Sequence, residues 1–146
     1  MNFKPVFHVI AWLLGVVGLL MGFCGLVSFL HDEPATSALG QSAAGTLAVA
    51  AVLWVLTLNK QELSRRDGLG VVCFGWLFAG IAGAAPYVLS GVISSPVAAV
   101  FETISGMTTT GATVIPILEG LPKGILLWRA ITQFIGGMGV LILVVA

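Results

Sequence analysis

Thr108, Thr109, Thr110, Gly111, Ala112 and Thr113 carry the most evident chemistry in the sequence. A cation that leaves water needs fixed oxygens in place of its hydration shell, and backbone carbonyls of an extended segment supply them. Glycine permits the backbone angles that turn successive carbonyls toward one axis. Threonine on either side adds a hydroxyl oxygen or locks the backbone. The stretch lies between long apolar segments, and from Thr103 to Leu118 it has no charge. That run is shorter than the roughly 20 residues a helix needs to span a bilayer. Irregular backbone is tolerated at membrane depth only where protein buries it or water bathes it. The segment therefore reads as a re-entrant loop with a cation filter at 108–113. In a soluble protein the same threonines would read as a helix cap or turn.

Glu102 and Arg129 are the charges nearest this loop that fall inside apolar segments. Charges in membrane segments usually face a bundle interior and are paired. A Glu102–Arg129 pair bracing the loop is one reading; Arg129 snorkelling to the interface while Glu102 caps a local N–H is the other. Gly136, Gly137 and Gly139 interrupt the last apolar run and weaken a helix by about 1 kcal/mol each relative to Ala. They make either a bend beneath the filter or a flat face for another helix. Trp128 at the outer end fits an interfacial anchor, and Trp54 an inner one.

The composition restricts what can position these residues. The 146 residues are 58% hydrophobic and 8% charged, with mean hydropathy +1.10. A soluble domain carries about 25% charged residues, so this is an integral membrane protein. A formal net charge of +0 gives no pull toward nucleic acid. No His, Cys, Ser or acid constellation suggests an enzyme; His8 and His31 are isolated. Cys24 and Cys73 sit inside apolar segments as small apolar residues. The first apolar run lacks a small-residue cleavage site, so a cleaved signal peptide is not expected.

The fold class is therefore all-α: two leading transmembrane helices (residues 1–67 with the loop after them), then one helix–re-entrant loop–helix unit (68–146). Pro5 to Leu30 is the first crossing. Gly15, Gly18, Gly22 and Gly25 share one face of it and either pack a helix closely or reflect the glycine content usual in membrane helices. His31-Asp32-Glu33-Pro34 breaks it at water. Leu39 to Leu58 is the second crossing. Asn59 to Asp67, with Lys60, Glu62, Arg65, Arg66 and Asp67, is the charged loop, cytoplasmic by the positive-inside rule. Lys4 falls on the same side after two crossings, so the amino terminus is cytoplasmic and the loop with Asp32 and Glu33 is outside. Gly68 to about Ser90 crosses outward, and Pro86 should kink or end it. Ser95 caps and Pro96 begins a short helix of about 96–107. At roughly 17 Å it cannot cross. Its carboxyl end, the negative end of its dipole, points to the membrane interior. Pro116 to Lys123 returns outward, and about 124–146 crosses inward. The apolar stop at Val144-Val145-Ala146 suggests a truncated protein.

Phe101 to Thr113 resembles the first pore loop of the TrkH/TrkG branch of bacterial potassium uptake proteins, in the TrkH/KtrB/HKT superfamily. Leu121 to Arg129 and Gln133-Phe134-Ile135-Gly136-Gly137-Met138-Gly139 resemble the helix that follows it. The resemblance extends over the leading helices and the basic loop around Arg65-Arg66. It implies four helix–loop–helix units around one pore, each giving one filter strand with one key glycine. Gly111 matches that glycine, and Thr109 and Thr110 match positions whose carbonyls bind the transported K⁺. It further implies an inner-membrane homodimer, surrounded by lipid, with a cytoplasmic nucleotide-binding regulatory subunit of the TrkA type. No residue of this chain matches a nucleotide site, so K⁺ as cargo is the expected ligand and no cofactor is expected in this chain. One unit of four is present, which fits an amino-terminal fragment. Two other readings stand beside this: a short subunit that tetramerises into a cation channel, and a non-conducting membrane assembly or regulatory protein, which predicts no special role for Gly111.

Overall fold

The computed structural model describes residues 3–58 and 65–145. Five α-helices follow one another among the described residues: α1 Phe3–Leu30, α2 Thr36–Leu56, α3 Arg65–Leu89, α4 Pro96–Met107 and α5 Lys123–Val145. Three of them, α1, α2 and α3, contain spans long and apolar enough to cross a membrane. Lys60 and Glu62 of the basic loop lie outside the described residues. Arg65, Arg66 and Asp67 do not belong to that loop: they open α3, whose first turn holds Asp67. An acid there favours the positive end of the helix dipole, a gain that reading the charges only as a loop misses.

The α1–α2 hairpin is held by small residues. A Cβ on Gly18 would meet Leu47 Cγ at 2.8 Å, one on Gly25 would meet Leu39 Cβ at 3.4 Å, and one on Gly22 would face the Ala43 methyl at 3.9 Å. Gly15 faces open space, so the packing face begins at Gly18. The turn after α1 bends at Asp32, whose φ of 52° is a left-handed value that a short polar side chain tolerates. Helix α2 begins at Thr36, ahead of the apolar run, and the Thr36 hydroxyl lies 2.8 Å from the Glu33 carbonyl and 3.1 Å from Ser28 Oγ.

Two apolar clusters tie this hairpin to the rest. One joins Val6, Ile10, Leu14 and Ala50 to Phe74 and Phe78 of α3. The larger one packs Met21, Leu39, Tyr87, Ala99, Met107, Ile125 and Trp128 together. Trp128 is fully buried here, not at an interface. Its indole Nε1–H donates to the Gly83 carbonyl at 3.0 Å. That bond satisfies the indole's polar edge, so the bulk of the ring can serve the core. Trp54 is exposed and lies against Trp12, ring centroids 4.9 Å apart. Pro86 does not end α3; the helix continues to Leu89 with Pro86 buried, and Gly91 at φ 74° reverses the chain.

The start of α5 is fixed from far away. Glu33 Oε1 accepts from Lys123 N–H (2.8 Å) and Oε2 from Gly124 N–H (3.0 Å). These are two of the four N–H groups a helix start leaves without an intrahelical partner. Gly124 allows the approach: a Cβ there would meet Ser28 Cβ at 2.7 Å and Leu39 Cδ1 at 2.8 Å.

Candidate functional site

Helix α4 is set by its own first residues. Ser95, in an extended conformation, accepts from Ala98 N–H at 3.4 Å, and Pro96 stands in the first turn where its missing N–H costs nothing. The buried face of α4 carries Ala99, Glu102, Thr103, Ser105, Gly106 and Met107. It meets α3 and α5 through glycines. A Cβ on Gly83 would meet Thr103 Cγ2 at 2.5 Å, and one on Gly106 would meet Thr132 Oγ1 at 2.7 Å. A Cβ on Gly136 would fall on the Met107 carbonyl group. Helix α5 runs unbroken through Gly136, Gly137 and Gly139. The carboxyl end of α4 therefore rests on α5 backbone at a place where only glycine fits.

The chain leaves α4 through a cap. Thr109 N–H donates to the Gly106 carbonyl (2.9 Å) and Thr110 N–H to the Ser105 carbonyl (3.0 Å), the paired pattern of a Schellman motif. The motif needs a left-handed residue, usually glycine; here it is Thr109, at φ 56°. A β-branched residue held there stores roughly 1–3 kcal/mol of strain. Gly111, at φ 76°, adopts a second left-handed turn without that cost. Gly111 N–H also points at the Ser105 carbonyl, at 3.4 Å. The helix cap thus takes in Thr108 to Thr110, and a second turn at Gly111 follows it.

This pattern has a consequence for the carbonyls. The N–H groups of Thr108, Thr109, Thr110 and Gly111 all turn toward the end of α4. Among the described residues, no donor reaches the carbonyl oxygens of those same four residues. Thr108 through Val114 are all exposed. The Thr108 hydroxyl donates to the Ile104 carbonyl (2.8 Å) and lies 2.9 Å from the Thr110 hydroxyl.

The far limb of the loop is held by one carboxylate. Glu102 Oε1 pairs with Arg129 Nε at 2.8 Å. Glu102 also accepts from the Thr113 hydroxyl (3.0 Å) and from Val114 N–H (2.9 Å). Glu102 is 3% exposed, so its charge is compensated by the guanidinium and by these donors, as a buried carboxylate requires. Thr113 Oγ1 in turn accepts from Ile115 N–H at 3.1 Å. Glu102, Arg129 and Thr113 thus come together. Thr108 to Gly111 sit on the opposite, exposed limb, and Gly137 lies near Thr109, its added Cβ 3.9 Å from the Thr109 methyl.

Ser105 is the residue that reading the sequence missed. It is 5% exposed, and besides its carbonyl's role its hydroxyl donates to the Ala112 carbonyl at 2.6 Å. Its position three residues after Glu102, on the same face of α4, was the available signal. Beside the loop, Val97, Phe101 and Ile104 of α4 line an open hollow of about 390 Å³.

Residues 36–146 match the TrkH family of cation transport proteins. Over its whole length the chain is 34% identical to the Trk system potassium uptake protein TrkH of Escherichia coli (strain K12), of which it covers 31%. It is 33% identical to the Trk system potassium uptake protein TrkI of Halomonas elongata, over 99% of this chain and 30% of that one. The crystal structure of the potassium transporter TrkH from Vibrio parahaemolyticus matches with a TM-score of 0.92 at 35% identity, over 99% of this chain and 31% of that chain. The chain thus spans about a third of the length of the relatives it matches.

Proposed function

The chain belongs to the TrkH family of cation transport proteins, and on that footing we propose that it forms the first of four pore units of a potassium uptake permease. The observation that carries this reading is the direction of the loop backbone. The N–H groups of Thr108 to Gly111 turn toward the end of α4. In a planar peptide each carbonyl points opposite to the next residue's N–H, so the carbonyl oxygens of Thr108, Thr109 and Thr110 turn away from α4 to the exposed side, where a dehydrating cation can take them. Thr109, Thr110 and Gly111 supply oxygens for K⁺, with Thr108, Ala112 and Thr113 completing the segment. Gly111 permits the turn. Glu102 and Arg129 brace it from behind. The exposed apolar residues Val97, Phe101 and Ile104 beside the loop are the surface that the other pore units of the longer protein cover.

In this reading α4 and its loop enter from the outer side of a bacterial inner membrane, and α5 is the next crossing. The amino terminus is cytoplasmic. The assembled protein is a homodimer in lipid and works with a cytoplasmic, nucleotide-binding TrkA-type subunit; this chain itself holds no nucleotide and carries K⁺ only as cargo.

Growth of a potassium-uptake-deficient bacterium on low potassium tests the reading. The full-length gene is expected to restore growth and Gly111→Asp to abolish it. A full-length gene that gives no rescue, or a Gly111→Asp variant that rescues as well, would remove the filter assignment.

A further inference from the structure

We infer that Ser105 is a positioning residue that sets how well the loop discriminates K⁺ from Na⁺; the inference rests on the filter reading given above. Ser105 holds the loop on both sides of its second turn. Its carbonyl takes Thr110 N–H at 3.0 Å and Gly111 N–H at 3.4 Å. Its hydroxyl donates to the Ala112 carbonyl at 2.6 Å. One buried residue therefore fixes the limb that enters Gly111 and the limb that leaves it. The Ala112 carbonyl is drawn back toward α4, while those of Thr108, Thr109, Thr110 and Gly111 receive no donor among the described residues. The hydroxyl thus decides where the run of free oxygens ends and how tightly it curves.

The two functions of Ser105 separate chemically. The carbonyl bonds belong to the backbone and survive any side-chain change. The hydroxyl bond is lost in Ser105→Ala, which adds no bulk. In that variant the leaving limb is held only from Thr113 onward, by Glu102. The Ala112 carbonyl is then free to turn toward the ion, and the oxygens around Gly111 can adapt to a smaller cation. Selectivity requires an oxygen cage whose number and spacing differ in fit between ions. An adaptable cage loses that difference before it loses conduction.

The test uses the full-length protein in the uptake-deficient bacterium, with K⁺ uptake measured over a range of K⁺ and of competing Na⁺. Ser105→Ala is expected to raise KM for K⁺ and to strengthen inhibition by Na⁺. The shift should be about fivefold in each, equivalent to about 1 kcal/mol and to one neutral hydrogen bond, with the maximal rate much less affected. Ser105→Thr, which keeps the hydroxyl, should return both values toward wild type. An unchanged KM and unchanged Na⁺ inhibition in Ser105→Ala would overturn the inference. Equal loss in the Thr variant would also overturn it, because the hydroxyl would not be the agent. So would failure to recover folded Ser105→Ala from detergent, since the role would then be structural. A wild-type protein that takes up no K⁺, or a silent Gly111→Asp, would fail the filter reading itself and this inference with it. A silent Ser105→Ala in a protein that passes both controls fails the inference alone.

Discussion

Glu102 and Glu33 perform the same act in different surroundings. Each reaches across the fold and accepts backbone N–H groups from a distant segment. Glu102 takes Val114 N–H, and Glu33 takes Lys123 and Gly124 N–H. Glu102 is almost wholly enclosed and faces a guanidinium. Glu33 lies in the loop between α1 and α2, half-buried, and its donors are a helix start and the Ser28 hydroxyl at 3.3 Å. The contrast shows what burial requires. A carboxylate removed from solvent needs an opposite charge as well as hydrogen bonds. One at the edge of the fold is balanced by the positive end of a helix and by solvent. The first arrangement shapes the loop; the second joins the leading hairpin to α5.

The largest effect should come from breaking the enclosed site. Glu102→Ala leaves the Arg129 guanidinium, the Thr113 hydroxyl and Val114 N–H without their acceptor. A loss of about 3 kcal/mol is expected, the low end for a broken buried pair because Arg129 is 19% exposed. It is read as a lower melting temperature of the full-length protein in detergent, together with loss of K⁺ uptake. Exchanging the two charges, Glu102→Arg with Arg129→Glu, should not restore the protein. The Thr113 and Val114 donors would then face a guanidinium, which accepts nothing. Recovery in the exchanged variant would mean that the ion pair alone matters and the loop bonds do not.

The half-buried site should break more gently. Glu33→Ala removes the acceptor for two N–H groups of α5 and should cost about 1 kcal/mol, the usual effect of losing a helix cap. KM for K⁺ should stay at the wild-type value, because no bond to residues 108–114 is touched. If Glu33→Ala destabilises as much as Glu102→Ala, the distinction between the two carboxylates is wrong. Gly136→Ala tests the contact between α4 and α5. Its methyl would overlap the Met107 backbone carbonyl, which cannot swing aside, and a loss at or above the upper end of about 1–3 kcal/mol is expected in the same melting assay.

The two sites also differ in how far the sequence revealed them. The loop and its short helix were legible because their composition conflicts with their setting. Hydroxyls and glycines stand between apolar runs, with Ser95-Pro96 marking the helix start. Glu102 and Arg129 stood out for the same reason, as charges where charges are costly. Glu33 did not, because a carboxylate in a short polar break looks solvated, and its partners lie 90 and 91 residues away. Trp128 misled because an indole near a helix end has the amphipathic character of an interfacial anchor. Only the Gly83 carbonyl, supplied by another helix, shows why it can be buried. Ser105 offered only its place on the Glu102 face of α4, because its partner is a backbone oxygen, which no sequence pattern marks. The glycines of α5 were visible as a group, but which of them touches Met107 depends on how α4 ends.

The smallest effect is a slope on the acid side. Burial alone would raise the Glu33 pKa, but Gly124 and Lys123 N–H, the Ser28 hydroxyl and the positive charge of nearby His31 together lower it below its ordinary value of 4.5. A carboxylate whose pKa is lower in the folded state binds protons more readily when unfolded. Its contribution to stability is therefore complete above pH 4.5 and disappears as pH falls through the lowered folded value. Acid acts on the whole protein, so the useful quantity is a difference. The melting temperature of wild type minus that of Glu33→Gln, followed from pH 7 to pH 3, should be constant near neutrality and should shrink below about pH 4.5. Glutamine keeps an acceptor for one N–H and has no proton to gain. A difference that stays constant to the acid end would mean that Glu33 holds α5 through its oxygen atoms alone, and that its charge adds nothing.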